Sequence, residues 1–325
     1  MSVALLFSPQ GSQTVGMGHD LADASPAAAA LYAGADAVLD WAVSTVCWDG
    51  PEVRLNDTRQ TQPCLVATSL ACLAALHEAC GTAGVALAPA LVAGHSVGEY
   101  AAIAAAGALS SDDALRLVAL RGSLMAEAGG EGGMAAVIGL DRAAIEEVLQ
   151  EVAPGAIVVA NDNAPGQVVI SGTSAALEAA EQPLRDAGAK RLIALRVSGP
   201  FHSPAMAPVG EALAAAFDEA AWSDAAPPIV SNVIAEPVSD ANRIRELLAR
   251  QVSSPVEWVA SVRRMLEEGV DTFVECGPGA ALTGMVRRIA PEATTLNVSD
   301  QSTLQQTVSA LQAAAEALAP AEASA

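Results

Sequence analysis

The chain is poor in aromatic residues, carries a single lysine and has only four histidines, and each shortage narrows what it can be. Aromatic residues make up 3% of 325 residues while 52% are hydrophobic, so the core has to be built from small aliphatic side chains at close backbone distances. That composition suits layered α/β packing. Lysine and arginine together number 16 against 37 acidic residues, a net charge of −21, which argues against nucleic acid as a general partner. An anionic ligand therefore needs a local basic patch. The five cysteines (Cys47, Cys64, Cys72, Cys80, Cys276) form no CxxC pair and stand at no metal-ligand spacing with histidine, so they read as reduced thiols and no metal is expected. No uninterrupted apolar run reaches the roughly 18 residues of a membrane helix. The opening "MSVALLF" lacks the basic region and cleavage site of a signal peptide. A soluble, cytoplasmic protein that does not meet a membrane is expected.

What is present is a regular alternation of elements. The length accommodates one large body carrying a smaller insert. "VALLF" at 3–7 predicts a buried strand, followed by the loop "SPQGSQTVGMG", whose glycines permit tight turns beside a ligand. Residues 62–80 predict a long buried helix, "ALVAG" at 90–94 a strand, and "VGEYAAIAAAGAL" a small-residue helix after it. Residues 111–127 predict a helix opened by a capping serine and an acidic first turn. Past the hinge "GGEGG" the pattern is strand 134–140, helix 142–151, strands 156–161 and 167–171, helix 174–187 and strand 191–197. This β-α-β-β-α-β order is the ferredoxin-like arrangement. The larger body then resumes with helices at 205–218, 241–251 and 255–268, strands at "PIVSNV" and at 272–276, and an alanine-rich helix from about 302 whose end "LAPAEASA" should fray. The fold class expected is α/β. A large α/β-hydrolase-like body with a parallel-sheet core spans 1–130 and 199–325, and the ferredoxin-like subdomain spans 131–198.

In "GHSVG", residues 94–98, a serine sits between two glycines after a strand and before a helix. That is the context of a nucleophile elbow, whose sharp turn exposes the hydroxyl. The pentapeptide alone is a weak signal in a glycine-rich chain. A serine hydroxyl needs a base to accept its proton, and four histidines can be weighed for the role. His95 adjoins Ser96 on a tight turn, where neighbouring side chains diverge, so it reads as support for the turn. His77 lies in the apolar helix 62–80 and reads as a partly buried structural residue. His19 has no companion residues suggesting chemistry. His202, in the irregular loop "SGPFHSP" just after the insert, remains as the candidate base, with a structural role as its alternative. In the helix 111–127, Ala114, Val118, Arg121 and Met125 share one face, so Arg121 interrupts an apolar stripe. A guanidinium there is costly unless it meets an anion. A substrate carboxylate would serve, as would a distant acidic side chain or a path to the surface.

Six ordered segments, "SPQGSQ" (8–13), "GHSVGEY" (94–100), "ALRGSLM" (119–125), "NDNAPGQVVISG" (161–172), "GPFH" (199–202) and "QVSSPVEW" (251–258), span nearly the whole chain. With them the chain resembles the malonyl-CoA:acyl carrier protein transacylase family, relatives of the acyltransferase domains of polyketide synthases. The resemblance implies ping-pong transfer of a malonyl group from malonyl-CoA to the phosphopantetheine thiol of acyl carrier protein, with the coenzyme A thioester as substrate and no cofactor. It implies Ser96 as the esterified nucleophile, His202 as general base and then acid, and Arg121 as a clamp for the malonyl carboxylate. Backbone N–H groups of Gln10 and Val97 would form the oxyanion hole, and Gln251 would orient His202. The first loop departs from the family pattern, carrying Pro9 where a glycine usually precedes the glutamine. Lys190 with Arg191 and Arg287 with Arg288 are the candidate contacts for the anionic carrier and coenzyme A, ordinary solvated charge being the alternative. Most members are monomeric. Two other activities compete with fatty acid synthesis: trans-acting acyl supply to a polyketide synthase, and serine esterase or thioesterase chemistry. The second usually places its histidine near the C-terminus, and here none follows residue 202. A non-catalytic carrier-binding subunit would keep the fold and lose the chemistry.

Overall fold

The computed structural model describes residues 1–318, so the expectation of a frayed C-terminus falls outside the described residues. Strand β1 (Val3–Phe7) is buried at every position. Its Val3, Leu5 and Phe7 join one core cluster while Ala4 and Leu6 join another. A strand apolar on both faces is what a parallel sheet covered by helices on each side requires.

Four helices follow that the sequence pattern does not signal: α1 (His19–Ala24), α2 (Pro26–Leu39), α3 (Val43–Asp49) and α4 (Glu52–Leu55). Next come α5 (Thr58–Thr82), β2 (Leu91–Gly94), α6 (Gly98–Ala105) and α7 (Ser111–Glu127). The cap of α7 is Ser110, whose hydroxyl accepts from the Asp113 N–H, one residue earlier than the first helical serine. Helix α5 is long and apolar enough to cross a membrane, with a mean hydropathy of 1.5, but 72% of that window is buried inside the fold. Packing against α2 and α7 covers those faces, so here the length serves a core.

The inserted unit comprises β3 (Gly132–Ile138), α8 (Arg142–Val152), β4 (Ile157–Ala164), β5 (Gln167–Thr173), α9 (Ser174–Asp186) and β6 (Arg191–Ala194). The body then continues through α10 (Ala207–Phe217), β7 (Ile229–Val230), β8 (Pro237–Val238), α11 (Ala241–Gln251), α12 (Trp258–Glu267), β9 (Thr272–Cys276), α13 (Ala281–Ile289), β10 (Thr294–Val298) and α14 (Gln301–Leu318). The strand expected at "PIVSNV" shrinks to β7, because Asn232 leaves the sheet to bond the site described below. Neither α13 nor β10 is signalled by the sequence: Gly284 interrupts the first and the second has few apolar residues.

Two sheets result, so the architecture is mixed α/β with a parallel-sheet core and a separate antiparallel sheet. The larger has the order β10-β9-β1-β2-β7-β8, parallel except for β8. The smaller has the order β4-β5-β3-β6, antiparallel throughout, over its own apolar core. The segment after α11 lies against the smaller sheet. Val256 lies alongside edge strand β4, its N–H donating to Ala160 at 2.8 Å and its carbonyl accepting from Asp162 at 3.0 Å. Beside it, Glu257 receives two hydrogen bonds from Arg142 of α8, the longer at 3.1 Å.

Candidate active site

Ser96 follows β2 and precedes α6 with φ at 52°, a left-handed conformation that few non-glycine residues adopt. The two glycines of the motif are required by close backbone approach. A Cβ on Gly94 would stand 2.0 Å from the Gly98 carbonyl oxygen, and one on Gly98 would stand 2.2 Å from that of Phe7. The turn can thus lie flat against the end of β1 only if both positions lack side chains.

The strain is held from two sides. The Ser96 N–H donates to Asn232 Oδ1 at 2.7 Å, and Asn232 Nδ2 donates to the Gly94 carbonyl at 2.7 Å. On the other side Gln251 Nε2 donates to the Ser96 carbonyl at 2.9 Å and also to Glu99. Glu99 is 3% exposed and receives the Asn232 N–H at 3.2 Å. Burial pushes its carboxyl up to about 7, against the opposing pull of Gln251, the Asn232 N–H and the Arg121 guanidinium.

The tertiary fold brings His202 and Arg121 to the same hydroxyl. His202 Nε2 lies 2.7 Å from Ser96 Oγ. Its Nδ1 faces two carbonyl oxygens, Gln251 at 2.9 Å and Ser254 at 3.1 Å, so we assign the proton to Nδ1 and the lone pair to Nε2. Gln251 therefore meets the imidazole through its backbone; its side chain is turned to Arg121, Ser96 and Glu99. Burial first, and the Arg121 charge second, lower His202 to about 3, which keeps it neutral. Arg121, 1% exposed, donates to Ser96 Oγ at 3.0 Å, to Gln251 Oε1 at 2.9 Å and to Gln62 Oε1 at 2.7 Å. Its Cζ lies 5.8 Å from the Tyr100 ring centroid. No carboxylate bonds it directly, and its Nε is buried without a partner among the described residues. A guanidinium left with an unspent buried donor is prepared for an arriving anion.

The N–H groups of Gln10 and Val97 form no internal hydrogen bond among the described residues, while the Gln10 side chain reaches Thr58 Oγ1 at 3.4 Å. The Pro9 carbonyl accepts the Ser12 N–H at 3.3 Å, and the neighbouring Ser8 hydroxyl donates to buried Glu275 at 3.1 Å. The remaining histidines fall outside the chemistry. His95 Nε2 lies 2.8 Å from Asn163 Oδ1 and its ring sits 5.4 Å from that of Trp258, consistent with support of the turn. His19 stacks on Trp48. His77 lies on the outward side of α5 with its ring partly covered, burial lowering it below the usual imidazole value, and it makes no side-chain hydrogen bond among the described residues. Among the described residues no group of three His, Cys, Asp or Glu side chains could hold a metal.

Of the basic pairs, Lys190 and Arg191 are exposed and make no side-chain hydrogen bond among the described residues. Arg287 donates to Thr295 at 2.9 Å, and Arg288 is spent on Gln167 and the Pro165 carbonyl. Arg288 nevertheless reaches the end of the small sheet where Arg191 lies, since Ile138 pairs with Arg191 on one side and with Gln167 on the other, whereas Arg287 turns to β10. A third pair, Arg263 and Arg264, escapes the sequence reading; Arg264 is engaged by Glu236, Glu267 and Glu268. Glu99, Asn232 and Gln62 are also site residues that the sequence reading passes over. Glu99 could have been found as Arg121 was, as an ionisable side chain in an otherwise small and apolar helix.

The chain is similar to several known proteins. The acyl transferase domain family matches residues 4–317. The malonyl CoA-acyl carrier protein transacylase of Bacillus subtilis (strain 168) is 41% identical over 313 residues, covering 95% of this chain and 97% of the relative. An acyl carrier protein S-malonyltransferase from Vibrio cholerae, solved as a crystal structure, superposes with a TM-score of 0.89 at 38% identity, covering 94% of this chain and all of that one. A malonyl-transacylase solved in complex with its type II PKS acyl-carrier protein superposes at 0.90 and 39% identity over 95% of this chain and 100% of that chain. With its elbow serine, neutral histidine and buried arginine in place, the chain belongs to the acyl transferase domain family, among the malonyl CoA-acyl carrier protein transacylases.

Proposed function

We propose that this chain transfers malonyl groups from malonyl-CoA to the phosphopantetheine thiol of acyl carrier protein for fatty acid synthesis, through an ester on Ser96. The observation that carries the reading is that Ser96 Oγ lies within hydrogen-bond reach of both His202 Nε2, at 2.7 Å, and Arg121 Nη2, at 3.0 Å. His202 takes the hydroxyl proton as Ser96 attacks the thioester carbonyl, then returns it to the departing coenzyme A sulfur. The carrier thiol next gives its proton to His202 and attacks the ester, and Ser96 recovers the proton as it leaves. The unspent N–H groups of Gln10 and Val97 support their assignment to the oxyanion of both tetrahedral intermediates. The buried guanidinium supports Arg121 as the carboxylate clamp, which fixes one carbonyl geometry and disfavours acyl groups without that handle. Exposed Lys190 and Arg191, with Arg288 at the same end of the small sheet and Arg287 beside it in the chain, are assigned to carrier and coenzyme A docking.

We further assign the body, 1–130 and 199–325, to an α/β-hydrolase-like architecture and 131–198 to a ferredoxin-like unit; the elbow after β2 and the strand order β4-β5-β3-β6 support this. A cytoplasmic monomer without a cofactor is the working state proposed. Five free buried thiols fit a reducing compartment. Supply of malonyl groups to a polyketide carrier is the second reading, favoured by the likeness to the transacylase solved with a type II PKS carrier. Intact mass after incubation with malonyl-CoA tests the core of the proposal. The wild type should gain one malonyl group and Ser96→Ala none. An unmodified wild type, or malonate released to water without transfer to a carrier thiol, would overturn it.

A further inference from the structure

Gln251 bonds both the Ser96–Glu99 turn and Arg121, and its orientation follows from these neighbours. Its Nε2 faces the Ser96 carbonyl and Glu99 Oε2, while its Oε1 faces Arg121 Nη2. A carbonyl and a carboxylate accept, and a guanidinium only donates, so one rotamer of the amide satisfies all three. The Ser96 carbonyl accepts both this amide and the Glu99 N–H, the latter at 3.1 Å, while Glu99 supplies the charged acceptor for the second amide hydrogen. Glu99 also takes the Asn232 N–H with its other oxygen, tying down the residue that binds the Ser96 N–H. The carboxylate thus stands behind both amide clamps of the elbow and lies one amide away from the guanidinium.

We propose that Glu99 is a positioning residue for malonyl selection: by accepting from Gln251 it keeps the amide oxygen turned to Arg121, and so holds the guanidinium against Ser96 Oγ where the substrate carboxylate is gripped. The inference rests on the assignment of Arg121 as the carboxylate clamp. A nearly isosteric Glu99→Gln places an NH2 group where an acceptor is needed. Either that amide or Gln251 then turns over. A turned Gln251 presents its NH2 to Arg121, donor against donor, and the guanidinium shifts. A general loss of packing would slow every acyl group alike, whereas a displaced guanidinium penalises the group that carries a carboxylate.

The test measures loading of Ser96 from malonyl-CoA and from acetyl-CoA in wild type, Glu99→Gln and Arg121→Ala, each checked for folding by its melting transition. Loss of one charged hydrogen bond predicts that Glu99→Gln reduces the malonyl-over-acetyl ratio of kcat/KM by roughly tenfold or more. Equal losses for both acyl groups would overturn the inference and leave Glu99 a structural residue. If the ratio survives in Arg121→Ala, the clamp assignment itself fails. If it collapses there and stands in Glu99→Gln, only the role of Glu99 fails. Should Glu99→Gln not fold, Glu99→Asp reads the same ratio, since a carboxylate drawn back by one methylene keeps its charge and loses its reach to Gln251. An unchanged ratio in that variant would also overturn the inference.

Discussion

His202 and His95 are both held neutral by burial, and this gives the protein a definite acid sensitivity. Burial lowers His95 to about 4, and burial with the Arg121 charge lowers His202 to about 3. An unfolded imidazole titrates near 6.5. Between pH 6.5 and about 4 the unfolded chain therefore binds protons that the folded chain refuses, and stability falls as pH falls, by at most about 1.4 kcal/mol per pH unit for each histidine. Glu99 acts oppositely: its folded value of about 7 lies above the ordinary 4.5, so its contribution improves as pH falls from about 7 toward 4.5. Urea denaturation at pH 7 and pH 5 should show a smaller acid loss in His95→Gln than in the wild type. Parallel losses in the two proteins would contradict the buried, neutral imidazole. At this scale the sequence was informative where a side chain broke a pattern, as Arg121 breaks its apolar stripe. Asn232 breaks none, since an asparagine after a short strand is ordinary until the fold sets it on the Ser96 N–H.

Elements are placed by backbone contacts that only small residues allow. Gly98 presses α6 against the end of β1, whereas an added Cβ on Gly34, inside α2, meets nothing within 4 Å. Gly98→Ala should destabilise by about 3 kcal/mol or more, since backbone has to move to relieve the overlap. Gly34→Ala should stabilise by about 0.5–1 kcal/mol through helix propensity. Thermal melts of the pair check both signs, and a neutral Gly98→Ala would mean that the elbow tolerates displacement. Helix α7 was legible because a cap, an acidic turn and an apolar stripe coincide. Helices α1 to α4 were not, because alanine-rich or very short segments carry almost no apolar period and are helical through their packing around α5.

The whole molecule carries a net charge of −21, so an acidic carrier protein approaches against a repulsive field. Arg191 opens the edge strand β6 and Lys190 immediately precedes it, both exposed, at the end of the small sheet where Arg288 also anchors. Reversing both, Lys190→Glu with Arg191→Glu, should raise KM for the carrier by roughly tenfold while KM for malonyl-CoA moves much less. Comparable rises in the two constants, or no rise, would remove these residues from carrier docking. Taken alone, the sequence determined the strand-turn-helix frame of Ser96, the place of Arg121 on an apolar helix face and the inserted β-α-β-β-α-β order, because caps, glycine pairs and apolar periods are local signals. The tertiary structure alone decided that Gln251, Asn232 and Glu99 close around Ser96, and that "QVSSPVEW" supplies carbonyls to His202, a strand to β4 and an ion pair to Arg142. Those contacts join residues far apart in the chain, and a hydrogen bond across such a separation leaves no periodicity or spacing to read.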